Sequence, residues 1–298
     1  MKRIMILFIT TWFLLPSMNS SAATNFPDVK EDFWAYDEIH FLVENQIIRG
    51  YKDGNFGPND PIKRMQAAEM LVKGLGLSTE NRPNPNFKDL KPGDYGYEYA
   101  ATLADEGIMT GSNGYFKPWD TLTRGQMAKI LAEAYDLLYV YDSEFTDVPY
   151  DHWAYDYVSS LFDNHITTGY PDATYRPNGN LTRAQFAAFM ARILNDSFKQ
   201  TVLINPINYE WDQEGGLTLL VEFKNNFDYP VELRDTMVAV TADGEIIAEG
   251  LFEFTADEFS LKAKDTAQIG LYFSPDLVYY VTEMNNIKLY SHTNFVKN

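Results

Sequence analysis

Three arginines stand at matched places in this chain. Arg64, Arg124 and Arg183 each follow a proline by six residues (Pro58, Pro118, Pro177). In the second and third cases the preceding residue is Thr123 or Thr182, and Gln126 or Gln185 comes three residues later. That spacing predicts a capping box, with the hydroxyl reaching a backbone N–H at a helix start. The arginine then falls on the first helical position, where a cation opposes the helix macrodipole and does little for helix stability. Beside unpaired N–H groups, however, a guanidinium grips both oxygens of a carboxylate. The alternative is a structural pair with a nearby acid such as Asp28, Asp89 or Asp147. Ligand contact is the expectation for Arg64, Arg124 and Arg183.

The arginines close a longer register. FPDV opens at Phe26, FKDL at Phe87 and FTDV at Phe145, so the starts lie 61 and 58 residues apart. Trp34, Tyr95 and Trp153 follow each Phe by eight residues, and Gly50, Gly111 and Gly169 come 16 residues after these. A shared register of this kind marks an internal repeat. Each copy reads as helix, loop, helix. Ile39, Leu42, Val43 and Ile47 are apolar at helical spacing, matched by Ala100, Leu103, Ala104 and Ile108, then by Val158, Leu161, Phe162 and Ile166. The second helix begins near the arginine and buries Ala67, Met70 and Leu71, or their counterparts. One helix pair is too small to bury its own apolar face, so the copies are expected to pack on one another.

The Phe-x-Asp opening, the Trp-Ala-Tyr helix start, the Gly-Tyr-x-Asp loop and the Thr-Arg helix start occur in order. With them, residues 26 to about 194 resemble a tandem of three S-layer homology domains. The resemblance implies an all-α pseudo-threefold bundle with grooves between neighbouring repeats that bind a secondary cell-wall polysaccharide, commonly pyruvate-bearing. On that reading the ligand residues are Asp28, Trp34, Gly50 and Arg64, then Asp89, Tyr95, Gly111 and Arg124, then Asp147, Trp153, Gly169 and Arg183. The aromatics would be walls for sugar rings or else core residues. The aspartates would accept sugar hydroxyls or cap the first helix. The glycines would admit a ligand to the backbone or simply form a turn.

The copies depart from one another. Lys63 replaces the threonine cap in the first. In the second, Tyr95 replaces Trp, Ser112 replaces the tyrosine after glycine, and the loop is one residue shorter. A groove built on the second copy's loop is therefore expected to be weak.

After about Gln200 the apolar period changes to that of strands, with Asp243-Gly244 marking a hairpin turn. Five to seven strands predict an all-β immunoglobulin-like sandwich. Through VEFKNNFDYPVEL and ADGEIIAEG the segment is similar, more loosely, to surface-layer-associated domains. The expected domains are a signal peptide at 1–23, repeats at 24–80, 81–140 and 141–198, and the β domain at 201–298. Lys2-Arg3, the apolar run Ile4–Leu15 and Ser21-Ala22-Ala23 carry the signal reading.

The chain has 298 residues, no cysteine and a formal charge of −18. Thiol chemistry and cysteine-ligated metals are excluded, and nucleic acid and anionic lipid are disfavoured as partners. No nucleophile elbow, phosphate loop or paired metal-spaced histidines occur, so neither a catalytic residue, a cofactor nor a bound metal is expected. The acidic run Asp142–Asp156 lacks EF-hand spacing. The expected role is non-covalent attachment of an exported protein at the cell wall or S-layer surface, its β domain meeting another surface protein. The alternatives are a self-assembling S-layer component and, behind it, a wall-attached glycan-processing enzyme.

Overall fold

The computed structural model describes residues 25–254 and 259–297; the expected signal segment lies outside them. Among the described residues there are six α-helices, followed by seven strands. The helices are α1 (Tyr36–Glu44), α2 (Arg64–Gly74), α3 (Tyr97–Asp105), α4 (Arg124–Ala134), α5 (Tyr155–Asp163) and α6 (Arg183–Leu194). They pair between copies rather than within them: α2 packs on α3, α4 on α5, and α6 returns to α1. A single apolar cluster runs through all three copies, as the exposed apolar face of an isolated pair requires.

The first helix of each copy is shorter than its apolar stripe predicts. Gln46, Gly107 and His165 take left-handed backbone just past its end. The next residue, Ile47, Ile108 or Ile166, donates its N–H back to Leu42, Leu103 or Leu161 at 2.9 Å in each case. Gln46, Gly107 and His165 likewise donate to Val43, Ala104 and Phe162. This pair of bonds is a Schellman reversal. The isoleucines therefore belong to the turn, and meet the helix's apolar face only because the chain doubles back.

The copies close on each other at a three-membered hydrogen-bond ring. Ile62 N–H donates to Leu181 at 2.9 Å, Leu181 to Leu122 at 2.9 Å, and Leu122 to Ile62 at 3.2 Å. All three side chains are fully buried. The ring marks the pseudo-threefold axis.

The β domain comprises β1 (Val202–Trp211), β2 (Leu217–Asn225), β3 (Val231–Ala242), β4 (Glu245–Glu253), β5 (Ser260–Leu261), β6 (Thr266–Phe273) and β7 (Lys288–Lys297). One antiparallel sheet has the order β1-β2-β6, and in the other the long β3 pairs with β4, β5 and β7. Residues of both sheets share one apolar cluster, including Val221, Phe223, Val238, Val240 and Phe273.

Candidate functional site

The second helix of each copy starts against its neighbour's loop. Arg64 Nε donates to the Phe116 carbonyl at 2.8 Å, Arg124 Nε to Tyr175 at 2.7 Å, and Arg183 Nε to Phe56 at 2.9 Å. The arginine of one copy thus holds the loop of the next, and the third copy holds the first. The backbone N–H groups expected to be free for a ligand are used the same way. Arg64 and Met65 donate to Asp120 and Pro118, Arg124 and Gly125 to Gly179 and Pro177, and Arg183 and Ala184 to Asp60 and Pro58. Thr123 and Thr182 complete the capping boxes, accepting from Gln126 and Gln185. Lys63 offers no acceptor, and only the return bond from its N–H to Gln66 Oε1 remains, at 2.9 Å. These helix starts are occupied, so the expectation of unpaired donors at them is corrected.

The three arginines make no ion pair with the Phe-x-Asp carboxylates among the described residues, and their Nε groups are spent on the loop carbonyls. Arg124 and Arg183 are only 4% and 3% exposed. Arg124 lies over the rings of Tyr170 and Tyr175 at 4.9 and 4.6 Å, and Arg183 over Tyr51 and Phe56 at 4.6 and 4.7 Å. Burial pushes the Arg183 and Arg64 guanidinium pKa values down. Arg124 and Arg183 nonetheless each line a groove.

The aspartates pin the loops of their own copies. Asp28 accepts from the N–H groups of Phe56 and Gly57 at 2.8 and 2.7 Å, Asp89 from Phe116 and Lys117 at 2.9 and 2.8 Å, and Asp147 from Tyr175 and Arg176 at 2.7 Å each. They do not cap the first helices, whose starts at Ala35, Gly96 and Ala154 have no side-chain cap. The glycines answer to packing: a Cβ on Gly50 or Gly169 would collide with the Phe26 or Phe145 ring, and on Gly111 it would press on the Tyr115 carbonyl. Phe, Asp and Gly of each copy therefore build one loop, and the arginine of the preceding copy is fastened to it.

The aromatics are not core. Trp34, Tyr95 and Trp153 are 54%, 54% and 53% exposed. Two grooves result, each drawing on three copies. One, of about 500 Å³, is lined by Arg183, Gly50-Tyr51, Gln66 and Glu69 of α2, and Tyr95. The other, of about 190 Å³, is lined by Arg124, Gly169-Tyr170, Gln185 and Arg192 of α6, and Trp34. By the repeat register, the counterparts around the second copy's loop are Arg64, Gly111-Ser112 and Trp153. There Arg64 lies over a single ring, Phe116 at 5.3 Å, and Trp153 leans on Gly125, where an added Cβ would stand 3.1 Å from Cζ2.

Sequence reasoning missed the polar network of the first groove. Glu69 accepts from Lys73 at 2.8 Å and from the Tyr95 hydroxyl at 2.9 Å, and pairs with Arg49 at 3.1 Å. Burial works against this carboxylate, but the hydrogen bonds from Lys73 and Tyr95 outweigh it and hold its pKa below the usual value. The signal was available: counting from the arginines, Glu69 falls where the other copies have Lys129 and Ala188.

Residues 25–68, 86–128 and 144–187 each match the S-layer homology domain. An endoglucanase of Bacillus sp. (strain KSM-635) is 30% identical over 264 residues, covering 84% of this chain and 28% of that enzyme. The S-layer protein EA1 of Bacillus anthracis is 32% identical over 177 residues, covering 58% of this chain and 20% of EA1. The amylopullulanase of Thermoanaerobacterium thermosulfurigenes is 30% identical over 179 residues, covering 58% of this chain and 10% of that enzyme. The chain thus spans between a tenth and a little over a quarter of these relatives' own lengths. The share aligned with the endoglucanase exceeds what residues 1–187 can supply, so that similarity reaches into the β domain. The chain carries three S-layer homology domains in tandem.

Proposed function

We propose that this chain attaches non-covalently to the cell surface by binding an acidic wall polysaccharide in the grooves between its repeats. The observation that carries this reading is the recurrent groove itself. A buried arginine from one copy, a Gly-Tyr loop from the next and an exposed aromatic from the third converge on one concave place. A half-exposed ring offers a flat apolar face for a sugar, and the guanidinium supplies fixed positive charge in a chain of net charge −18. Local cations are needed because the overall field repels an acidic glycan. On this reading the twelve residues expected from sequence divide by role. Trp34, Tyr95, Trp153 and the arginine heads face the ligand, while the aspartates and glycines shape the loops beneath it.

The helical part is the anchor. The β domain, which we read as an immunoglobulin-like sandwich, displays a surface to another protein of the wall and performs no catalysis itself. Similarity to the endoglucanase extends into the β domain, whereas the alignment with EA1 covers 58% of the chain. That contrast favours attachment and display over lattice formation.

The test is co-sedimentation of the full chain with purified cell walls. Replacing Trp34, Tyr95 and Trp153 together by alanine removes exposed rings and is expected to weaken binding by at least about tenfold. Mild acid hydrolysis of wall ketals should have the same effect on the native chain. Undiminished sedimentation of the triple variant would overturn the groove as the binding site.

A further inference from the structure

The two open grooves differ in the charged groups that line them, and Glu69 is the acid present in one and absent from the other. Aligned on their helix-start arginines, the copies place Glu69, Lys129 and Ala188 together, and likewise Lys73, Glu133 and Arg192. In the first groove the Glu69 carboxylate already holds Lys73, Arg49 and the Tyr95 hydroxyl, the donors an incoming acid would seek. In the third, the small Ala188 leaves that place empty of charge and Trp34 brings no hydroxyl. Arg124 and Arg192 both line it, and no acid does. Arg192 is 8% exposed, and its Nε makes no hydrogen bond among the described residues. Its other nitrogens reach the Ile166 carbonyl at 3.0 Å and, more distantly, Glu38 at 4.0 Å.

We propose that Glu69 is an internal occupant that closes the groove on the first repeat to acids, and that the groove on the third repeat is this chain's site for a carboxylate-bearing saccharide. The proposal rests on the reading that the grooves bind an acidic glycan, and it names which groove does so and why. A ligand carboxylate entering the first groove meets the fixed Glu69 charge with Lys73 and Arg49 already engaged by it, and only Lys52 and Arg183 of the lining stand outside that pairing. In the third groove it meets two guanidinium groups, those of Arg124 and Arg192, and a flat indole face.

The experiment is calorimetric titration of the full chain with the methyl glycoside of an N-acetylhexosamine bearing a pyruvate ketal. The methyl ester of the same compound serves as the uncharged control. The native chain is expected to bind about one equivalent of the acid and none of the ester. Trp34→Ala should weaken this binding by about tenfold. Glu69→Ala, which copies the third repeat, should bring in a second equivalent. Glu69→Gln keeps the size and hydrogen-bonding shape, so the fold is preserved, and should act in the same direction. Two equivalents on the native chain, or one on both Glu69 variants, overturns the proposal while the Trp34 effect leaves the groove reading standing. No binding by any form, or unchanged affinity in Trp34→Ala, removes the groove reading and this proposal with it.

Discussion

The two halves of the molecule solve the same closure problem with different polar residues. In the helical half, three arginines reach across copies to backbone carbonyls 51 to 127 residues away, at equivalent places around an axis. In the β domain, one buried side chain does the comparable work. Asn225, at the end of β2, donates to the carbonyls of Tyr229 at 2.9 Å and Lys262 at 2.8 Å, and accepts from the Phe227 N–H at 2.9 Å. It ties one sheet to the turn that follows β5 in the other. A threefold arrangement distributes the closure, so each arginine can be weighed against its own copies, whereas Asn225 has no internal control. The difference shows that an internal repeat turns a long-range contact into a comparison within one chain.

The largest expected effect comes from breaking an inter-repeat tie. Arg124→Gln removes the bond to the Tyr175 carbonyl in a fully buried setting and the cation from three rings, those of Tyr170, Tyr175 and Phe189, and should cost about 3 kcal/mol. Arg64→Gln, at the half-buried equivalent with one ring, should cost about 1.5 kcal/mol. Denaturant unfolding with domain-resolved hydrogen exchange measures both. Equal losses at the two sites would break the link between burial and closure.

The next effect sharpens the contrast from the other side. Asn225→Ala removes the bonds to the Tyr229 and Lys262 carbonyls and from the Phe227 N–H and should cost about 2 kcal/mol. Exchange should quicken in β2 and β5 while α1 to α6 keep their protection. Faster exchange in the helices as well would show that the halves unfold as one unit.

Much of this was legible in the sequence, and the reason is repetition. Three matched copies of Phe-x-Asp, aromatic, glycine and arginine exposed the two helices of each copy and the need for the copies to pack together, but not that each groove draws on three copies. Where each atom points was not legible. Asp28 and the free-looking helix starts both carry polar groups whose partners lie in loops, and loop geometry follows from contacts far apart in sequence. The reversal at Gln46 and His165 was hidden because neither residue is glycine, so nothing in local turn chemistry announced left-handed backbone there. In the β domain, alternation marked strands and the Asp243-Gly244 hairpin. It could not give the pairing of β3 with both β5 and β7, since register is set by partners rather than by pattern.

The smallest expected effect lies at the seam between the halves and depends on pH. Asp163, at the end of α5, is raised to about 6 chiefly by burial, against the pull of the Val140 and Tyr141 N–H groups and of His292 on β7. His165, two residues on, is lowered to about 4 by burial, with Lys199 and His292 adding to the shift and Asp196 opposing it. As pH falls from about 6.5 towards 4, an unfolded chain protonates His165 and the folded chain does not, so stability falls. Over about 6 to 4 the folded chain protonates Asp163 before the unfolded chain does, so stability rises. The two slopes oppose each other across nearly the same window. Asp163→Asn should therefore uncover a loss of stability on acidification over pH 6.5 to 4. His165→Asn, whose side chain tolerates the left-handed backbone, should uncover a gain between about pH 6 and 4. Thermal melts of the native chain and both variants across this window measure the slopes. If removing Asp163 leaves the pH profile of the native chain unchanged, the seam carries no opposed titration, and the contrast between the halves is one of hydrogen bonding alone.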